Sequence, residues 1–134
     1  MRDLEHNVKD VLAVNITSIN ADGTTTGNTI DCKGFGSCKI VVFSGTITDG
    51  SYAVKLFESD NSDMNSEETE ITDSNRLHGS ALTFGANDDN VVKSVGVKLQ
   101  KRYLRVKIVA SSVSNGGSLG AIALLGEPQH APTN

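Results

Sequence analysis

The chain has 134 residues, of which 37% are hydrophobic and 21% are charged, so it is long enough for one domain around a single core and too short for two. Its net charge of −4 gives no general attraction to nucleic acid or to anionic lipid. No apolar run approaches the roughly 20 residues that a membrane-spanning helix needs. Val, Ile and Thr make up nearly a quarter of the chain, which also has 13 glycines, and this composition is typical of strands joined by turns.

The first ten residues show no clear strand or helix pattern. Met1 to His6 mix charged and apolar types, unlike the basic start and apolar core of a secretory signal. The sequence therefore predicts an N-terminal arm over residues 1–10 and no secretory signal.

The strand patterns that follow are short, rich in β-branched residues and separated by Gly, Asn and Asp, which favour turns. The pair Asp49-Gly50 is a turn signal between two of them. In chain order, the predicted strands are residues 11–17, 28–32, 38–46, 51–59, 81–84, 91–99, 102–110 and 119–126.

The late strands show the clearest alternation of apolar and polar residues. In the seventh strand, Leu104, Val106 and Ile108 share one face and are predicted to point into a core. The residues between them, among them Arg105 and Lys107, are predicted to face outward.

Both prolines of the chain lie in residues 127–134. We predict that this segment is an extended tail outside the sheets, because proline cannot donate a hydrogen bond to a strand ladder. Long helical periodicity is absent. The fold class is therefore predicted to be all-β: an antiparallel β-sandwich, jelly-roll-like, with about eight strands. Residues 11–126 form the sandwich domain, between the arm of residues 1–10 and the tail of residues 127–134.

The sequence carries no pattern that indicates catalysis. Nucleophilic catalysis needs a Ser or Cys held beside a His, and there is no Gly-x-Ser-x-Gly turn. His130 lies in the proline-containing tail and His78 in a predicted loop. The GFG at residues 34–36 lacks the third glycine and the helix of a phosphate-binding loop. We therefore predict that the protein is not an enzyme and has no cofactor.

The two cysteines, Cys32 and Cys38, have no second pair at zinc-ligand spacing, and His6, His78 and His130 are widely scattered, so no metal site is predicted. A glycine-containing turn between the cysteines would place them on facing strands. A cross-strand disulfide fits that geometry, but two cysteines in a chain without a secretory signal are expected to stay reduced.

Charge is unevenly distributed along the chain. Seven acidic residues and no basic ones lie in residues 58–73, whereas six basic residues and no acidic ones lie in residues 93–107. The acidic stretch does not match the spacing of an EF-hand, so a solvated hairpin tip is favoured over a calcium site. The basic stretch contains only Tyr103 as an aromatic residue, which is poor for a nucleic-acid face. A polar outer face of a sheet is one explanation of the basic stretch. The more specific hypothesis is that the basic sheet of one subunit meets the acidic hairpin of another.

Several segments resemble motifs of small structural proteins of tailed phages. Residues 48–52 (TDGSY) and 58–62 (ESDNS) are similar to the TDG-x-Y … ESDDG hairpin of that family, and residues 101–106 (KRYLRV) to its KRYLRV strand. Residues 30–37 (IDCKGFGS) resemble an IDL-x-GF-x-S segment, and residues 124–132 (LLGEPQHAP) resemble an LG-x-P-x-HAP ending. The matches keep their order over most of the chain.

The resemblance implies a capsid cement or decoration protein of the jelly-roll kind, which binds the outside of a phage shell as an oligomer and clamps neighbouring copies of the major capsid protein. It implies a non-enzymatic virion protein that is assembled in the host cytoplasm and located on the capsid exterior. The expected partners are the major capsid protein and further copies of this chain, with no nucleic acid and no membrane. Asn61-Ser62 in place of Asp-Gly and Cys32 in place of an aliphatic residue depart from the family pattern.

The candidate interface residues come from the two charged stretches and the tail. They are Arg102, Arg105, Lys107, Glu67, Glu68, Glu70, Pro128, His130 and Pro132. Two other functions stay open. A phage neck or tail protein can use the same sandwich, and a carbohydrate-binding β-sandwich module is the alternative from another class. The absence of Trp and the presence of only two Tyr disfavour the latter, because sugar sites commonly use exposed aromatic platforms.

Overall fold

The computed structural model describes residues 8–63, 68–72, 76–79 and 82–128. Over these residues the chain forms eleven β-strands, and none of them belongs to a helix that is long and apolar enough to cross a membrane. The strands are β1 (Lys9–Ile19), β2 (Gly23–Thr26), β3 (Ile30–Asp31), β4 (Phe35–Ile47), β5 (Ser51–Ser59), β6 (Thr69–Glu70), β7 (Leu77–Gly79), β8 (Thr83–Phe84), β9 (Val92–Val97), β10 (Tyr103–Ser111) and β11 (Gly117–Pro128).

The strands form two antiparallel sheets that pack face to face. The first sheet has the order β1-β11-β4-β9-β7, and the second has the order β2-β10-β5-β6, with β3 beside β10 and β8 beside β5. The first and last strands of the chain are neighbours, and most connections cross from one sheet to the other, which is the arrangement of a jelly roll. The predicted fold, an all-β antiparallel sandwich of jelly-roll-like form, is confirmed.

The core lies between the facing sides of the two sheets. Leu104, Val106 and Ile108 on β10 are at most 1% exposed, which confirms the inward face that the sequence predicts. Tyr52 and Phe84 are the largest fully buried side chains, and the pairing of β5 with β8 places them side by side. Because successive side chains of a strand point to opposite faces, this alternation alone determines which residues of β10 enter the core.

Each of the eight predicted strands has a counterpart in the structure, and three strands are additional. The additional strands are β2, β6 and β7, which have two to four residues each. They pair with β10, β5 and β9 respectively. Their short sequences show no alternation, so their strand conformation depends on hydrogen bonds to longer neighbours and not on a local pattern.

The first and last strands of the chain extend beyond their predicted boundaries. β1 begins at Lys9, which pairs with Leu125 and lies within the predicted arm. β11 continues to Pro128, which pairs with Phe35, so Pro128 is the last residue of a strand and not part of a tail outside the sheets. Proline is tolerated as the last residue of a strand, because it lacks only the backbone N–H that would donate the next hydrogen bond of the ladder.

One end of the sandwich is held together by Asp49, in the turn between β4 and β5. Its carboxylate accepts hydrogen bonds from the backbone N–H groups of Gly116, Ser114 and Asn115, at 2.9 to 3.1 Å. These bonds, that from Gly116 first, lower the pKa of Asp49. The φ angle of Gly50 is 96°, a value that a glycine adopts without strain. Asp49 thereby ties the β4–β5 turn to the β10–β11 loop.

Candidate functional site

The outer side of the sheet formed by β2, β10, β5 and β6 is rich in charge, and we call it the charged face. The strand register places Lys107 beside Lys55, Arg105 beside Phe57, and Phe57 beside Glu70. Parts of the acidic and basic stretches of the sequence therefore meet within one chain. The charged face consists of Lys55, Phe57, Glu68, Glu70, Tyr103, Arg105 and Lys107, with Asp31 and Arg102 at its rim.

Glu68 lies between two cations at the centre of the charged face. Its Oε2 accepts a hydrogen bond from Nη2 of Arg105 at 3.1 Å, and its Oε1 accepts one from Nζ of Lys107. The side chains of Arg105, Lys107 and Glu68 are 8%, 18% and 17% exposed. Burial raises the pKa of Glu68, but the hydrogen bonds from Lys107 and Arg105 outweigh it and hold the pKa below its usual value. Nζ of Lys107 also lies 4.7 Å from the centre of the Phe57 ring.

The structure confirms that Arg105 points to the outer side of β10, as the alternation predicts. The side chain is nevertheless only 6% exposed, because it lies against Glu68. Arg105 and Lys107 neutralise Glu68 of the same chain. The basic and acidic stretches therefore make an internal contact, where the sequence suggested a contact between subunits.

Some of the remaining predicted interface residues lie around this cluster, and others lie outside the described residues. Oε1 of Glu70 is 4.0 Å from Nζ of Lys55, with side chains 36% and 43% exposed. Glu67, His130 and Pro132 lie outside the described residues. For Pro128 the structure describes the backbone, at the end of β11.

Arg102 forms a two-pronged ion pair with Asp31 at the rim of the charged face. Nε and Nη2 of Arg102 each lie 2.9 Å from a carboxylate oxygen of Asp31, and the guanidinium carbon lies 4.9 Å from the centre of the Tyr103 ring. The two side chains are 44% and 48% exposed. The hydrogen bonds from Arg102 are the main reason that the pKa of Asp31 is lowered to about 2.

We expect the Asp31–Arg102 pair to make stability in acid depend on Asp31. A carboxyl group whose pKa is lowered by folding stabilises the fold above its unfolded pKa of about 3.9. This contribution is lost as the pH falls towards the folded pKa of about 2. In urea unfolding, wild type should be more stable than Asp31→Asn by a constant amount above about pH 5, and the two should converge between about pH 4 and 2. Curves that stay parallel down to pH 2 would contradict this contribution.

A second ion pair joins the two sheets inside the sandwich. Glu58 occupies an inward position on β5, and Nη1 and Nη2 of Arg76 lie 2.7 and 2.6 Å from its carboxylate oxygens. Nε and Nη2 of Arg76 also donate to the carbonyl oxygen of Lys98, which follows β9 in the other sheet, at 3.2 and 2.9 Å. The side chains of Arg76 and Glu58 are 10% and 8% exposed. Sequence reasoning missed this pair, and its only local signal was the place of Glu58 in the alternation that follows Leu56.

The outer side of the first sheet is apolar, and we call it the apolar face. In one row across the sheet, Leu12 of β1 pairs with Ile122 of β11, which pairs with Val41 of β4. This row lies on the outer side because the neighbouring residues of β11, Ala121 and Ala123, are fully buried. The apolar face consists of Leu12, Ile16, Val41, Phe43, Val92, Gly120, Ile122 and Leu124.

A second apolar row crosses the same face. Phe43 pairs with Gly120 of β11 and with Val92 of β9. A Cβ atom at Gly120 would lie 3.0 Å from both Cγ1 of Ile16 and the Phe43 ring, so these two side chains close over the glycine backbone. Within the described part of the chain, the exposed large hydrophobic residues are Leu12, Ile16 and Val92, at 49%, 74% and 66%. All three belong to the apolar face, and such a concentration is typical of a binding surface.

Cys32 and Cys38 are buried free thiols on either side of the predicted turn. The thiol of Cys32 donates to the carbonyl oxygen of Ile30 at 4.0 Å, and the neighbouring Cys32 thiol together with burial raises the pKa of Cys38. Elsewhere in the described ranges, no three or more His, Cys, Asp or Glu side chains are grouped as they would be around a metal ion.

Comparison with known proteins identifies the fold. No protein-family profile matches the chain, and no curated protein matches it. Among solved structures, the PBSX exported protein XepA is similar over 100% of this chain, with a TM-score of 0.60 and 16% identity. This chain spans 41% of the length of XepA.

Two further structures are more distant. The SPBc2 prophage-derived protein YomS is similar over 88% of this chain and 93% of its own length, with a TM-score of 0.49 and 14% identity. The structure of infectious bursal disease virus, Gt strain, is similar over 93% of this chain and 34% of its own, with a TM-score of 0.41 and 12% identity. At these identities a likeness concerns the fold alone.

Proposed function

We propose that the protein is a non-enzymatic structural component of a bacteriophage virion. In this proposal it binds the outer surface of the capsid and stabilises contacts between subunits of the major capsid protein. Its assembly takes place in the host cytoplasm, and its final location is the capsid exterior. The fold likeness to XepA, which covers 100% of this chain and 41% of XepA, supports the phage assignment.

The observation that carries the proposal is that the motifs of the resemblance meet in the structure. Asp31, from residues 30–37, forms its ion pair with Arg102, from residues 101–106. The strand register pairs Ser59, from residues 58–62, with Tyr103, and Ser37, from residues 30–37, with Gly126, from residues 124–132. These contacts support the resemblance, because they bring its separate segments together in one fold.

The charged face is the surface that we assign to the capsid. Its exposed groups are Arg102 with Asp31 and Lys55 with Glu70, which are able to exchange their partners for groups on a capsid subunit. Arg105, Lys107 and Glu68 are largely buried, and their charges already neutralise one another. We therefore assign them a supporting role within this face. Pro128, His130 and Pro132, predicted from the sequence, complete the set of residues that we propose contact the capsid.

Purified protein mixed with phage heads tests this function. We expect it to co-sediment with expanded heads and not with free capsid subunits, since the proposed site spans neighbouring subunits. Binding should weaken as salt is raised, because screening shortens from about 8 Å at physiological ionic strength to about 3 Å at 1 M. Failure to bind heads, or density at the neck or tail in an image of the particle, would overturn the capsid assignment.

Charge reversal on the charged face provides the matched variant. The double variant Lys55→Glu with Arg102→Glu should stay folded, because both side chains are more than 40% exposed, and should weaken head binding about tenfold. Lys9→Glu is the control, since Lys9 is exposed on β1 of the other sheet. Equal head binding by all three proteins would exclude the charged face as the contact.

A further inference from the structure

We propose that two copies of this chain associate face to face through the apolar face, about a twofold axis parallel to β11. The proposal does not depend on capsid binding. It gives a surface and a symmetry to the homo-oligomer that the sequence predicts. Its first support is that the exposed large hydrophobic residues of the described chain, Leu12, Ile16 and Val92, all lie on this face. Removing such a surface from water favours association.

The second support is the charge at one end of the apolar face. Asp10 of β1 pairs with Leu124 of β11, which pairs with Lys39 of β4, so an acid and a base flank one leucine. Both charged residues are exposed, and no ion pair within the described part of the chain engages either of them. Neighbouring strands are about 4.8 Å apart, so Asp10 and Lys39 lie about equally far from β11, on opposite sides.

This arrangement is complementary to itself. A twofold axis that lies in the plane of contact and runs along β11 exchanges the β1 side of one copy with the β4 side of the other. Asp10 of each copy then faces Lys39 of the other, which gives two ion pairs for each dimer. An interface between identical surfaces requires such self-complementarity, and opposite charges at the rim fix the register of the contact.

The same axis matches the apolar rows. It places Leu12 opposite Val41 of the second copy and Ile16 opposite Phe43. Gly120, which lies beneath Ile16 and Phe43, falls near the axis and has no side chain to separate the two sheets. The strands of the two copies then run nearly parallel, within the roughly 30° that sheets packed face to face adopt.

The charged face is a poorer surface for this association. Its central cations already neutralise Glu68 of the same chain, and packing two such faces together would remove exposed ion pairs from water at a cost. Association through the apolar face leaves the charged face of each copy accessible on the outside of the dimer.

Sedimentation velocity of the purified full chain, without any capsid component, tests the proposal. We expect the wild type to be a dimer that dissociates on dilution. Ile16→Asp should be a folded monomer, because this side chain is mostly exposed in the single chain and the change places a charge in the apolar contact. Thr24→Asp is the control, since Thr24 is exposed on β2 of the opposite sheet, and it should remain a dimer.

A charge exchange tests the symmetry. Asp10→Lys alone or Lys39→Asp alone should raise the dissociation constant about tenfold, since each change acts twice in a twofold dimer. The double variant Asp10→Lys with Lys39→Asp should restore it. A double variant as weak as the single ones would overturn the twofold arrangement.

Two other results would overturn the choice of partner. A wild type that is monomeric at its highest soluble concentration would exclude the second copy. If Ile16→Asp then abolished head binding by that monomer, the occupant of the apolar face would be the capsid protein. Because the dimer is measured without heads, its failure is distinct from a failure of the proposed capsid function.

Discussion

Replacing Val106 with Asp should leave the protein insoluble. Val106 is 0% exposed and lies on the inner side of β10, beside Leu56 of β5. Burying a carboxylate without a partner costs several kcal/mol, which is comparable with the whole free energy of unfolding of a domain, about 5–15 kcal/mol. The measurements are the soluble fraction after expression and the circular dichroism of whatever remains in solution.

Val92→Asp is the matched control, because it makes the same chemical change at a site that is 66% exposed. It should fold with little loss of stability. Val106→Ala should also fold, with a free energy of unfolding lower by about 1–3 kcal/mol, since it leaves a cavity and introduces no charge. A soluble, native-like Val106→Asp protein would show that the inner face of β10 has been wrongly assigned.

Replacing Glu58 with Ala should lower the free energy of unfolding by about 3–5 kcal/mol. Arg76 is 10% exposed and would keep its hydrogen bonds to the carbonyl oxygen of Lys98. It would lose both hydrogen bonds to the carboxylate of Glu58, and water has little access to replace that carboxylate. Chemical denaturation at neutral pH measures the loss.

A double variant separates the cost of removing one partner from the contribution of the pair. Glu58→Met with Arg76→Met replaces both charges by apolar side chains of similar length, so it should be less destabilised than Glu58→Ala alone. The surface control is Lys55→Ala, whose partner Glu70 is 36% exposed, and it should cost less than about 1 kcal/mol. If the double variant lost as much free energy of unfolding as Glu58→Met and Arg76→Met together, Glu58 and Arg76 would act independently.

The longer strands and the inner face of β10 could be predicted from the sequence. A period of two residues is a local property of an extended chain, so the positions of Leu104 and Val106 followed without knowledge of any neighbour. The Asp49-Gly50 turn was equally local, because glycine accepts the positive φ that the turn uses. The absence of helical periodicity favoured antiparallel over parallel sheets, since parallel strands need long crossover connections, which are usually helices.

The burial of Arg105 could not be predicted from its own strand. Alternation assigned it to the outer side of β10, but its burial depends on Glu68, which is 37 residues away in the chain. Arg76 likewise contacts Glu58 and the carbonyl oxygen of Lys98, which are 18 and 22 residues away in the chain. Whether a charged side chain is solvated or neutralised is decided by such neighbours, and no pattern within one strand contains them.

The sequence by itself therefore determined the strands, the turns and the sides of each strand, and the tertiary structure decided what each side contacts. The predicted strands at residues 38–46 and 119–126 are apolar on both sides, a pattern usual for strands that are covered on both faces. Among the described residues, no further layer of strands covers their outer side. The order β1-β11-β4-β9 brings Leu12, Val41 and Ile122 into one row. That order is set by backbone hydrogen bonds between distant segments, and it decides which apolar residues combine into a surface large enough to bind a partner.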